Sequence, residues 1–137
     1  MTTQPTCKDR IREHYRGRVS DLRKLFALWQ SGNESGDPEI GTFNEYGLSF
    51  DYVAPGTFQN RRGYWRYQLS CGGPADEFRF YCDENRKPVR IEYWFLDWWD
   101  GARITLRTGR DFALLCDIFA DFDECGVIES TYRAATD

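Results

Sequence analysis

One histidine, one methionine and no apolar run near the roughly 18 residues of a membrane helix set the first limits on this 137-residue chain. With His14 as the only imidazole, no Ser/His/Asp or Cys/His arrangement can be drawn except through that residue. A metal site would have to be built from carboxylates alone. The five cysteines, Cys7, Cys71, Cys82, Cys116 and Cys125, are odd in number and never spaced C-x-x-C, which argues against both a disulfide framework and a zinc ribbon. There is no internal repeat and no low-complexity tract. The opening MTTQPTCKDR reaches charge before any apolar stretch, so no secretory signal is expected and the chain is expected in the cytoplasm with free thiols. Neither a cofactor, a metal nor a membrane is called for.

What the chain does have is aromatic residues: 17% of it, as 10 Phe, 8 Tyr and 5 Trp, within a hydrophobic fraction of 41%. That is enough to bury a core, and the length suits one domain over residues 1–137, with 1–5 and 133–137 as fraying ends.

From Thr6 to Trp29 the apolar positions Ile11, Tyr15, Val19, Leu22, Phe26 and Trp29 advance by threes and fours, the stripe of a helix. Its other face is basic, with Gly17 a point where it could kink. The Ser31 to Thr42 segment, SGNESGDPEIGT, reads as a loop. A period of two then predicts strands over 45–53, 64–71, 77–83, 89–99 and 102–107. On this alternation Tyr46, Leu48, Phe50 and Tyr52 share the inner face with Trp65, Tyr67, Phe78, Phe80, Ile91 and Tyr93. Asp100-Gly101 reads as the last turn. A closing helix begins with Thr108 as N-cap, buries Phe112, Leu115, Ile118, Phe119 and Phe122, and stops at Gly126, with 127–132 a short extension. The fold class is α+β: an N-terminal helix, a five-stranded antiparallel meander and a C-terminal helix, with the helices on one face of the sheet.

Three sets of residues stand out for function. Tyr46, Tyr52, Tyr67 and Tyr93 put four phenols on the inner face, where they either reach water at the sheet edge or line a ligand pocket between sheet and helices. Asp97 joins them if the alternation runs on past Phe95. The expectation is instead that the strand ends after Leu96 and turns Asp97 and Asp100 to water, because unpaired buried carboxylates are rare. On the opposite register, Tyr81, Trp94, Leu96 and Trp98 form an aromatic patch that is either a partner surface or covered by a helix or by the 33–42 loop. The acids Asp117, Asp121 and Glu124 line one helical face, the ordinary solvated side of an amphipathic helix.

Direct duplex DNA binding is not expected of a chain with net charge −4 and pI about 5.1, although its first helix is basic. An acidic body can instead imitate DNA phosphates, and Asp111, Asp117, Asp121, Asp123 and Glu124 supply one such row. The segments EYGLSFDYV, GYWRYQLSCGGPADEFRFY and IEYWFLDWWDGA, across residues 42–102, resemble a family of small uncharacterised proteins of bacterial plasmids and integrative mobile elements. The resemblance implies an accessory protein in a bacterial cytoplasm and carries no catalytic residue with it. The expected function is therefore non-enzymatic: binding of an unidentified protein partner, or self-association, through the aromatic sheet surface. The alternatives are a small-molecule binder with a tyrosine-lined pocket and an acidic DNA-mimic antagonist of a host defence protein.

If the compartment is reducing, all five thiols should be titratable in fresh protein denatured without reductant. Three or fewer would overturn the cytoplasmic expectation.

Overall fold

A computed structural model describes residues 5–137; the segment 1–4, part of the expected fraying end, lies outside the described residues. Helix α1 (Cys7–Gln30) opens on a Thr6 N-cap that forms a reciprocal capping box with Asp9. It runs unbroken past Gly17. Its stripe of Cys7, Ile11, Tyr15, Val19, Leu22, Leu25 and Phe26 is buried. After the loop, a single turn, α2 (Phe43–Tyr46), leads into five strands: β1 (Ser49–Val53), β2 (Tyr64–Ser70), β3 (Ala75–Cys82), β4 (Pro88–Asp97) and β5 (Asp100–Leu106). They pair antiparallel in sequence order, an open meander. Helices α3 (Arg110–Glu124) and α4 (Val127–Thr136) close the chain, so the structure is α+β as expected, with two C-terminal helices rather than one.

The inner face of the sheet is two continuous rows of large side chains. Register aligns Tyr52, Trp65, Phe80, Ile91 and Leu106 across all five strands, and beside them Phe50, Tyr67, Phe78, Tyr93 and Ile104. Helices α1, α3 and α4 pack on these rows through Leu22, Leu115, Ile118, Phe119 and Ile128, all essentially excluded from water. The Trp65 indole lies edge-on to Phe119 at 5.7 Å, and its Nε1 donates to Ile128 O and Thr131 Oγ1, tying α4 to the sheet.

Several expectations are corrected. Tyr46 is helical, and Leu48 precedes β1 at 59% exposure, because chain folding into α2 takes both out of the strand alternation. Thr108 caps nothing. The α3 N-cap is Gly109, and the Asp111 carboxylate turns away to Tyr15 and Arg23. Gly126 stops α3 with φ +81 as expected, yet the chain resumes as α4, which is helical through Thr136 where fraying was expected; its buried Ile128 and the Trp65 contacts anchor it. The last turn is not Asp100-Gly101 but Trp98-Trp99, with Asp97 opposite Asp100.

Replacing Trp65 with alanine should lower stability by about 3–5 kcal/mol in urea melts, since it empties a ring-sized volume under α4 and removes the indole hydrogen bonds that tie α4 to the sheet.

Candidate protein-binding surface

The outer face of the sheet is covered by its own side chains. Tyr64 and Tyr81 lie with ring centroids 5.3 Å apart in a small core of their own with Val53. Arginines from neighbouring strands lie over the rings: Arg90 over Tyr81 at 4.1 Å, Arg79 between Tyr64 at 5.0 Å and Trp94 at 4.2 Å, and Arg103 over Trp94 at 5.5 Å. A guanidinium on an aromatic face gains electrostatic attraction while its stem shields the ring. Two buried carboxylates complete the lattice. Glu77 accepts from Arg79 Nε at 2.8 Å, and Glu92 accepts from Trp94 Nε1 at 3.0 Å and faces Arg90 and Arg103.

This lattice sorts the expected patch. Tyr81 is only 8% exposed and half-buried Trp94 is sandwiched between arginines, so neither offers a free ring to a partner. Leu96 is half-buried beside Gly101, where a β-carbon would come within 2.9 Å of its Cδ2. Trp98 is different. It is 85% exposed, and its neighbour Trp99, which the alternation did not single out, is 99% exposed. The two form the tip of the β4–β5 hairpin.

The tip is braced from below. Asp97 accepts from Arg10 Nη1 at 2.6 Å, and Asp100 accepts from the Cys7 backbone N–H at 2.7 Å, both from the first turn of α1. Asp97 is thus neither buried alone nor turned free to water: β4 runs through it and an arginine neutralises it. The N–H of Cys7, with that of Gly101, also holds the Asp100 carboxyl below its ordinary range. With both carboxylates engaged by α1, the tryptophans between them must make the turn, and Trp98 adopts φ +57. The left-handed region is rare for so bulky a residue and costs about 1–2 kcal/mol.

The four tyrosines do not line one pocket. Tyr93 donates to Asp76 Oδ2 at 2.6 Å, while Tyr46 donates to Asp21 at 2.7 Å and accepts from Arg18 Nη1 at 3.1 Å. Burial, helped by the Asp21 carboxylate and opposed by Arg18, pushes the Tyr46 phenol up to about 12. Tyr67 sits against Gly47, and Tyr52 stands apart between Trp65 and Tyr132. Tyr46, Tyr67 and Tyr93 gather near Arg18, where Asp21, Asp76 and that guanidinium already take up the Tyr46 and Tyr93 hydroxyls, while Tyr52 lies outside this group.

Arg18 links Tyr46 to Tyr93 through Asp76, a residue outside the strand that the alternation predicts from Glu77 onward. Stepping back by two from Phe78 puts Asp76 on the inner face, and it is buried there. It accepts from Arg18 Nε and Nη2 at 2.7 and 3.0 Å, from Tyr93 and from Ser70 Oγ. Burial disfavours its charge, but the hydrogen bonds from Arg18, Ser70 and Tyr93 outweigh this and hold the carboxyl below its ordinary value. All four acceptor sites are filled by fixed partners, an arrangement that joins α1 to the sheet and leaves no lone pair for chemistry.

Elsewhere, His14 is exposed on α1 and stacks on Phe95 at 4.4 Å. Asp121 accepts from Trp29 Nε1. No helix is long and apolar enough to cross a membrane among the described residues. No protein-family model, curated protein or solved structure matches the chain.

Asp76→Asn should destabilise by about 3–5 kcal/mol at pH 7, because it leaves Arg18 without its countercharge. The folded-state pKa lies below the unfolded value of about 3.9, so the pair's contribution is complete above that pH and is lost as pH falls through the folded value. Urea melts should therefore show the gap between variant and wild type narrowing below about pH 4.

Proposed function

We propose that this protein is a non-enzymatic binding module whose contact point is the Trp98-Trp99 hairpin tip, engaging a hydrophobic cleft on a protein partner. The observation that carries this reading is two adjacent tryptophans, 85% and 99% exposed, on a turn braced by Arg10–Asp97 and Cys7–Asp100. Each indole presents roughly 150–250 Å² of mostly apolar surface. Leaving both in water forgoes burial worth about 1.5–3 kcal/mol apiece, which a complex would recover. Tryptophan is also the residue most enriched where interface energy concentrates. The bracing removes much of the ordering cost of association.

The sheet-surface version of this reading narrows to its edge, since Tyr81 and Trp94 are already occupied by Arg90, Arg79 and Arg103. Against the small-molecule alternative stands the engagement of the Tyr46 and Tyr93 hydroxyls by Asp21, Arg18 and Asp76. For the DNA-mimic alternative, Asp111 and Asp121 are engaged by Tyr15, Arg23 and Trp29, which breaks the acidic row. Following the resemblance of the central block to proteins of mobile elements, we take the partner to be a protein of a bacterial host.

The test is a Trp98→Gly/Trp99→Ser variant against Phe58→Ala, which removes another exposed aromatic, in the β1–β2 loop. Relief of the left-handed conformation should leave the double variant as stable as wild type or about 1 kcal/mol more so. Capture of a defined partner, or self-association in sedimentation, should weaken more than tenfold while Phe58→Ala retains it. Unchanged capture in the double variant would sink the proposal.

A further inference from the structure

A second feature lies away from the hairpin tip, where α1 passes the start of α3. An open cleft of about 500 Å³ there is walled by Arg16, Arg23 and Lys24 of α1 and by Arg110 of α3, with Tyr15 and Val19 at its base. Asp111 is the one acid in the lining, and both of its oxygens are taken, Oδ2 by the Tyr15 hydroxyl at 2.7 Å and Oδ1 by Arg23 Nη2 at 2.8 Å. Lys24 is held by Asp37 at 2.7 Å. Arg16 and Arg110, both solvent-facing and on opposite walls, have no carboxylate partner among the described residues.

We infer that this cleft binds a compact phosphate-bearing anion, with Arg16 and Arg110 as the residues that grip it from its two sides. With Arg23 and Lys24 paired to Asp111 and Asp37, the uncompensated positive charge of the cleft is that of Arg16 and Arg110, set on a protein of net charge −4. Guanidinium groups suit phosphate because their planar donors can take two oxygens at once. Arg23 is fixed in place by Asp111, so part of the wall is set before a ligand arrives. Two walls bearing free arginines favour an anion with more than one charge, such as a diphosphate. A diphosphate can be inorganic or carried by a nucleotide, and the two share the group the arginines recognise.

Calorimetric titration of the intact protein at low salt with pyrophosphate, with ADP and with a single-stranded oligonucleotide tests the inference. Amide shift mapping in parallel reports where the probe sits. Saturable binding of pyrophosphate or ADP is expected, with shifts at Arg16, Arg23, Arg110 and Asp111. Tighter binding of ADP would assign a nucleotide, and equal binding the inorganic anion. Arg16→Gln/Arg110→Gln should weaken binding about tenfold or more, while Arg61→Gln/Lys87→Gln, two exposed cations outside the cleft, should leave it within about twofold. No saturable binding of either compact anion, binding of the oligonucleotide alone, or binding indifferent to the Arg16/Arg110 substitutions would overturn it.

Discussion

The bidentate pair between Arg18 and Asp76 fixes where the first helix lies on the sheet. One partner comes from the middle of α1, the other from the inner face of β3, and the carboxylate is buried with Tyr93 and Ser70 completing its shell. A charge so placed is tolerated only while its partners hold position, so α1 cannot slide along the sheet without leaving both ions unpaired in the interior. The other polar contacts of α1 with the sheet and α3 follow from this placement. Its first turn reaches the β4–β5 hairpin through Cys7 and Arg10, and its third and fifth turns meet Asp111 at the start of α3 through Tyr15 and Arg23.

The sheet solves the problem of its uncovered face in a different way. Helices occupy only the inner side, and on the other side a row of arginines lies down on tyrosine and tryptophan rings with buried glutamates between them. Long stems provide apolar cover and charged heads keep the surface wet. This explains how a single antiparallel sheet with aromatics on both faces avoids presenting a sticky plane to solvent. It also separates the candidate contact point from the structural aromatics, because the hairpin tip lies beyond this arginine layer and carries the two most exposed aromatics among the described residues.

The tip and the α1–α3 cleft are both by-products of helix placement, and they differ in chemistry. One is apolar, convex and held in an uncommon backbone conformation; the other is cationic and concave. Each is organised by a carboxylate whose charge is spent internally: Asp97 and Asp100 at the tip, Asp111 in the cleft. The acidic composition of the chain is to this extent structural, since the acids that matter here are occupied in orienting neighbours.

The chain pattern by itself determined the first helix, the five strands in their meander order and most of the inner rows, though neither α2 nor a second C-terminal helix, because alternation of large apolar side chains with a period of two leaves one face to bury and short links leave antiparallel neighbours as the simple pairing. It also determined the buried stripe of α1 and the stop at Gly126. It could not reveal that Asp76 is an inner-face residue, since a carboxylate at a core position is excluded unless its arginine, 58 positions away, is known to arrive. Nor could it tell that Tyr81 and Trp94 are capped by cations, which depends on cross-strand register. The Trp98-Trp99 turn was hidden by the strong local signal of Asp100-Gly101. Only the docking of α1, which claims both flanking aspartates, moves the turn back onto the tryptophans, and that is a long-range contact no local sequence window contains.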